Sequence, residues 1–203
     1  PNSIGVFQGS ALGLLLYTVY ANDLSLHAQG AVVVQYADDT QVLISGLKTE
    51  LHDVIARMER TLSSLDAWFC TNGLRVNAGK TQLMLLGSAQ NLRQVPSFTV
   101  KFRDHNLIPV SEAKNLGLTF DRTLSWDNHV TAVTRHCFGT LSGLSHLRGY
   151  LPIAVVSALV SALVFSQICY CISVYGNCSK KNLSRIQKII NYAAKVIFGR
   201  KKN

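Results

Sequence analysis

Asp38 and Asp39 stand side by side between two apolar, β-branched runs, Val32-Val33-Val34-Gln35-Tyr36-Ala37 before them and Thr40-Gln41-Val42-Leu43-Ile44 after. The runs read as two strands joined by a tight turn, with both acids at its tip. Adjacent carboxylates repel, and each raises the other's proton affinity unless a cation lies beside them. Hard divalent ions such as Mg²⁺ take carboxylate oxygens and leave positions open for substrate phosphates. A rigid hairpin presenting two Asp is therefore a candidate metal site for phosphoryl transfer. The alternative for the pair alone is a surface turn with two solvated acids.

The elements around the pair predict an α+β chain. Gly5 to Ser10 form a glycine-bracketed turn in which Ser10 caps a buried helix running from Ala11 to His27. After the hairpin, Thr49 caps an amphipathic helix in which Leu51, Val54, Ile55, Met58, Leu62, Leu65 and Phe69 recur at helical spacing, and Asn72-Gly73 stops it. Leu74–Asn77, Thr81–Leu86, Phe98–Phe102, Asn106–Val110 and Leu116–Phe120 read as short strands. Three helices follow, over Ser125–Leu147, Pro152–Tyr175 and Lys180–Phe198, so the predicted boundary falls near 124 and 125.

Composition narrows the partners. The 203 residues are 48% hydrophobic and 15% charged, which excludes a disordered chain and allows one sizeable core or two small ones. The formal charge is +9, and all of the excess lies late: no acid follows Asp127, whereas ten Lys and Arg do. That asymmetry points to a polyanion, nucleic acid before anionic membrane. Cys70, Cys137, Cys169, Cys171 and Cys178 lack paired metal-site spacing and read as reduced intracellular thiols, mostly in the core. Pro152–Tyr175 contains no charge and is long enough to span a bilayer, which leaves a membrane anchor as an alternative to a buried helix.

The order of several motifs adds a resemblance. Gly5-Val6-Phe7-Gln8-Gly9-Ser10-Ala11-Leu12-Gly13, then Tyr36-Ala37-Asp38-Asp39, Asn77-Ala78-Gly79-Lys80-Thr81, Leu116-Gly117-Leu118-Thr119-Phe120-Asp121, Leu124-Ser125-Trp126 and His129 closely resemble the reverse transcriptase of non-LTR (LINE-type) retrotransposons. The resemblance covers almost the whole chain. It implies a partial right-hand polymerase palm over residues 1–124 and a helical thumb over 125–203, and two-metal nucleotidyl transfer with Mg²⁺ or Mn²⁺. Asp38 and Asp39 then match the metal-binding catalytic pair, and Lys80 a lysine that assists pyrophosphate departure. Gln8, Gly9 and Ser10 match the segment against the templating base and incoming nucleotide, with Tyr36 and Ala37 under the primer terminus. Leu116 and Gly117 match the primer grip, and Lys180, Lys181, Arg185 and Lys188 match the surface on the duplex backbone. The partners implied are an RNA template, a DNA primer and deoxynucleoside triphosphates, with no membrane.

Two departures qualify the match. The family's third carboxylate comes from a strand upstream of Gln8-Gly9-Ser10, as do the fingers, and Asp23 cannot replace it. Phe7 stands where the family has proline, and Leu14 occupies a second such place. The chain is thus expected to be a fragment that does not polymerise alone. Its non-enzymatic alternative is a basic nucleic-acid-binding remnant.

Overall fold

The computed structural model describes residues 12–199, and Gln8, Gly9 and Ser10, with the predicted Ser10 cap, lie outside them. The chain divides into two compact units. Residues 1–83 and 90–109 make the first, and residues 84–89 and 110–203 the second. The short elements β3 (Leu83–Met84), α3 (Ala89–Leu92) and β6 (Pro109–Val110) lie where the chain passes from one to the other.

The first unit opens with α1 (Gly13–Tyr20) and a 3₁₀ turn at Leu24–His27. The predicted continuous helix to His27 therefore breaks, and it is not buried: Leu14, Leu15, Leu16 and Val19 are exposed. An all-round apolar helix carries more apolar surface than one small unit can cover. Only the side bearing Tyr17 meets Ala21, Leu24, Leu65 and Trp68 in the core. Next comes the antiparallel hairpin β1 (Val32–Tyr36) and β2 (Asp39–Leu43), whose inward Val33 and Val42 pack on that cluster.

A 3₁₀ turn at Lys48–Glu50 leads into α2 (Leu51–Thr71), which Thr49 does not cap. The turn itself takes the Glu50 amide to Leu47 O at 3.0 Å and leaves Thr49 no capping role. At its other end α2 stops as expected. Gly73 is left-handed at φ +69, its amide bonds Cys70 O at 3.1 Å, and Leu74 N–H bonds Phe69 O at 2.8 Å, which together form a Schellman motif. Ile55, Met58 and Leu62 pack on a second cluster of Ala78, Val100, Phe102 and Leu107, supplied in part by the hairpin β4 (Val100–Phe102) and β5 (His105–Leu107).

Leu74–Asn77 forms no strand, because its polar backbone groups are satisfied elsewhere. Leu74 closes the helix end, and Arg103 donates to Val76 O at 2.9 Å while gripping Asp66. Thr81–Leu86 keeps only the two residues of β3 in a strand, and Asn106–Val110 divides between β5 and β6.

In the second unit, hairpin β7 (Glu112–Asn115) and β8 (Leu118–Asp121) precedes α4 (Asp127–Leu147). Ser125 and Trp126, expected to start that helix, instead end a loop folded onto Asp121. The predicted helix over Pro152–Tyr175 is interrupted: α5 (Ile153–Val160), a π turn at Ser161–Phe165, α6 (Ser166–Cys169), a reversal at Tyr170-Cys171, and α7 (Ile172–Tyr175). The long α8 (Lys180–Phe198) follows, with Ser179 as its side-chain cap and Gly199 left-handed at its end.

The core of this unit joins Val130, Cys137, Leu141 and Leu144 to Val156, Val160, Val164 and Ile168, and to Ile186, Ile189, Ala193 and Val196. A stripe at every fourth residue drifts round an α-helix by about 40° per step, since a turn takes 3.6 residues. The wider π turn rotates less per residue and brings Val164 and Ile168 back beneath Val156 and Val160. One face of the apolar segment thus lies in the core, whereas Ile153, Val155, Leu163, Ile172 and Val174 are exposed, so the expected buried helix is buried on one side only. Among the described residues no helix is long and apolar enough to cross a membrane. The cysteines are free, but only Cys137 is fully buried, since Cys70 and Cys169 are exposed.

Candidate active site

The β1–β2 register pairs Tyr36 with Asp39, so Ala37 and Asp38 form a two-residue turn and Asp39 begins β2. Ala37 carries the positive φ of +51 that such a turn requires. Both carboxylates are exposed; Asp38 lies at the tip as expected, whereas Asp39, expected there too, is the first residue of the strand. Among the described residues no ion pair neutralises either one, and no group of three or more His, Cys, Asp or Glu side chains is placed to hold a metal. The two acids thus fit a hard cation that takes its remaining ligands from phosphate oxygens and from groups outside this set.

Strand alternation gives the hairpin two distinct faces. Tyr36 and Asp39 share the outer face with the exposed Val32, Val34 and Leu43. On the inner face the cross-strand partners Gln35 and Thr40 each bury a polar atom, Nε2 and Oγ1, with no hydrogen-bond partner among the described residues. Tyr17 lies near the tip. Burial raises its phenol pKa, and the charge of Asp38 raises it further.

Lys80 is exposed at the end of a turn in which its amide bonds Asn77 O at 3.1 Å and Asn77 Oδ1 at 3.2 Å. Ala78 anchors that turn in the core. No hydrogen bond or ion pair joins Lys80 to Asp38 or Asp39 among the described residues.

The second unit carries the other candidates. Leu116 and Gly117 do not sit in a strand. They form the two-residue turn between β7 and β8, with φ of +45 and +82. The loop after β8 is organised by Asp121. Its carboxylate accepts from the amides of Thr123 (3.0 Å), Ser125 (3.1 Å) and Trp126 (2.9 Å), and from the hydroxyls of Thr123 (2.7 Å) and Ser125 (3.1 Å). His129 is buried between the rings of Trp126 and Tyr175, and its Nδ1 accepts from Thr119 N–H at 3.4 Å. Burial lowers its pKa. The Leu124-Ser125-Trp126 and His129 motif therefore ties the hairpin to α4.

On α8 the inward face is apolar, and Lys180, Lys181 and Lys188 project outward. Lys195 joins them. It lies seven residues from Lys188, as Lys188 does from Lys181, so the three form one stripe about 21 Å long at 1.5 Å per residue. Heptad counting of the lysines alone would have found it. Arg185 instead turns inward, donating to Thr131 Oγ1 at 2.9 Å and Asn182 Oδ1 at 3.4 Å, while the buried Asn182 donates to Asp127 Oδ1 at 2.7 Å.

A family model described as reverse transcriptase (RNA-dependent DNA polymerase) matches residues 1–120. The chain is 30% identical over 205 residues to the probable RNA-directed DNA polymerase from transposon BS of Drosophila melanogaster, covering 95% of this chain and 22% of that protein. It is 28% identical over 201 residues to the RNA-directed DNA polymerase from mobile element jockey of the same species, covering 92% of this chain and 21% of that protein. With the probable RNA-directed DNA polymerase from transposon X-element, also of Drosophila melanogaster, identity is 24% over 211 residues, covering 96% of this chain and 22% of that protein. No solved structure matches. The chain belongs to the reverse transcriptase family, in agreement with the LINE-type resemblance of its motifs. It spans about a fifth of the length of these relatives.

Proposed function

We propose that this chain carries part of the active site of an RNA-directed DNA polymerase, together with surfaces that hold the primer and the primer–template duplex. The observation that carries the reading is the β1–β2 hairpin. It sets two exposed, adjacent carboxylates at and beside a tight turn, inside the segment that matches the family.

Asp38 and Asp39 would hold a divalent cation, Mg²⁺ or Mn²⁺. Its chemistry when bound is to neutralise phosphate charge and to lower the pKa of a hydroxyl. Tyr36, next to Asp39 on the outer face, supports the primer terminus, whose 3′-hydroxyl attacks an α-phosphate in line with the departing pyrophosphate. Lys80 supplies a cation for that leaving group. Gln8, Gly9 and Ser10 bound the templating base and incoming nucleotide, and Leu116-Gly117 steadies the primer end. The lysines of α8 track backbone phosphates without reading sequence. In functional terms residues 1–124 act as palm and 125–203 as thumb.

Two carboxylates are fewer than the family's three, so the chain alone is expected not to extend a primer. The test is binding and extension on a DNA-primed RNA template. Salt-sensitive binding without extension is expected, whereas robust incorporation dependent on Asp38 and Asp39 would contradict the incomplete site. Absence of duplex binding at low salt would remove the reading.

A further inference from the structure

Tyr170 occupies the point where the apolar helical segment breaks. Its own ψ is 117°, and Cys171 after it is left-handed at φ +52, a conformation that a non-glycine side chain strains to adopt. The side chain delivered by this break reaches the turn of the β7–β8 hairpin. Tyr170 Oη donates to Leu116 O at 2.7 Å, and a Cβ built on Gly117 would lie 3.2 Å from Tyr170 Cε1. Leu116 is itself strained at φ +45. Two strained non-glycine residues thus flank one contact.

Hydrophobic burial does not account for the contact, since Tyr170 remains 52% exposed. Nor is it needed to hold the base of the hairpin. Asp121 and His129 already fix β8 to the start of α4. What the contact adds is a hold on the turn itself, through the Leu116 carbonyl.

We propose that Tyr170 is a positioning residue: it braces the Leu116-Gly117 turn and thereby sets where the primer terminus is held. The inference rests on the reading of that turn as the primer grip. Strained turns persist only where their surroundings over-determine them, and here the hydroxyl and the ring supply that determination. The brace also makes the turn's position depend on the helical segment that carries Tyr170.

The test uses the 203-residue chain with Tyr170→Phe, which removes the hydroxyl and keeps the ring, and Leu116→Gly, which loosens the turn without touching Tyr170. Amide exchange over the turn is measured in the free chain. Binding is followed with a DNA primer annealed to an RNA template, carrying 2-aminopurine at the primer 3′ end or, in a second duplex, one helical turn back.

Tyr170→Phe should speed exchange at the turn about fivefold, as expected for one lost hydrogen bond. Tyr170→Phe should bind the duplex within about twofold of the parent and retain the internal signal, because the α8 lysines supply the phosphate contacts. The 3′-terminal signal should fall by half or more. Unchanged exchange in Tyr170→Phe overturns the brace. Faster exchange with an unchanged terminal signal reduces Tyr170 to a structural role and overturns the proposal. A parent chain that binds the duplex and shows no terminal signal overturns the primer-grip reading itself, which the exchange measurement distinguishes from failure of the brace.

Discussion

Replacing Asp121 with Asn tests the loop that joins hairpin to helix. Burial pushes the Asp121 pKa up, but hydrogen bonds from Thr123, Ser125 and Trp126 outweigh it and hold the carboxyl at about 2, against an ordinary 3.8. A folded-state pKa below the unfolded value means that the charged form stabilises the fold. The contribution is fully present above about pH 4 and is lost as pH falls through about 2. Nearly two units at ~1.4 kcal/mol each give a ceiling of ~2.5 kcal/mol. Asp121 is partly solvated, so screening reduces this to ~1–1.5 kcal/mol. Asn adds a second cost. Its amide group faces the Trp126 N–H, donor against donor, which leaves a backbone N–H unpaired at ~1–3 kcal/mol. The expected loss at neutral pH is therefore ~2–4 kcal/mol. Urea unfolding followed by tryptophan fluorescence measures it, with Trp126 as a reporter inside the loop. The gap between parent and variant should narrow by ~1 kcal/mol at pH near 2. An unchanged midpoint at neutral pH, or a gap indifferent to pH, would show that the Asp121 carboxylate does not hold the loop.

Three further outcomes follow from the same geometry. Burial lowers the His129 pKa, so the unfolded chain protonates first as pH falls through the ordinary histidine value of 6.5; the urea midpoint should drop as pH falls through that value, and His129→Gln should flatten that slope. Converting Lys181, Lys188 and Lys195 together to Gln should lower the slope of log affinity against log salt for a primed duplex by about 2–3, one unit or slightly less per lost phosphate contact. Arg185→Gln should behave in the opposite way. It should cost ~1 kcal/mol in thermal or urea unfolding, by breaking the bonds to Thr131 and Asn182, and leave that salt slope intact.

The parts that could be read from sequence are those with local determinants. The β-branched runs on either side of Asp38-Asp39 defined the hairpin, and Asn72-Gly73 marked the end of α2, because turn and cap chemistry is written within a few residues. The departures come from tertiary context. Val156, Val160, Val164 and Ile168 look like one uninterrupted helix until their four-residue spacing meets a single core face, which demands a π turn. Arg185 looks like another cation of the basic helix until its neighbours Thr131 and Asn182 turn it inward. Tyr170 gave no local signal, because its role depends on a turn 54 residues earlier in the chain. Leu116-Gly117 was legible as a motif but not as a turn, since Leu at positive φ runs against its own propensity.

The central claim is that Asp38 and Asp39 are the metal-dependent pair of a polymerase site. Its most direct test is Mg²⁺-dependent extension of a DNA primer on an RNA template, by a protein that carries this chain preceded by the upstream carboxylate strand and fingers implied by the resemblance. Asp38→Asn and Asp39→Asn should each lower the extension rate by about a thousandfold, in the range of losses that follow removal of one transition-state stabilising group, while leaving duplex affinity within about twofold, since backbone contacts carry binding. Extension within about tenfold of the parent in either variant would contradict the assignment.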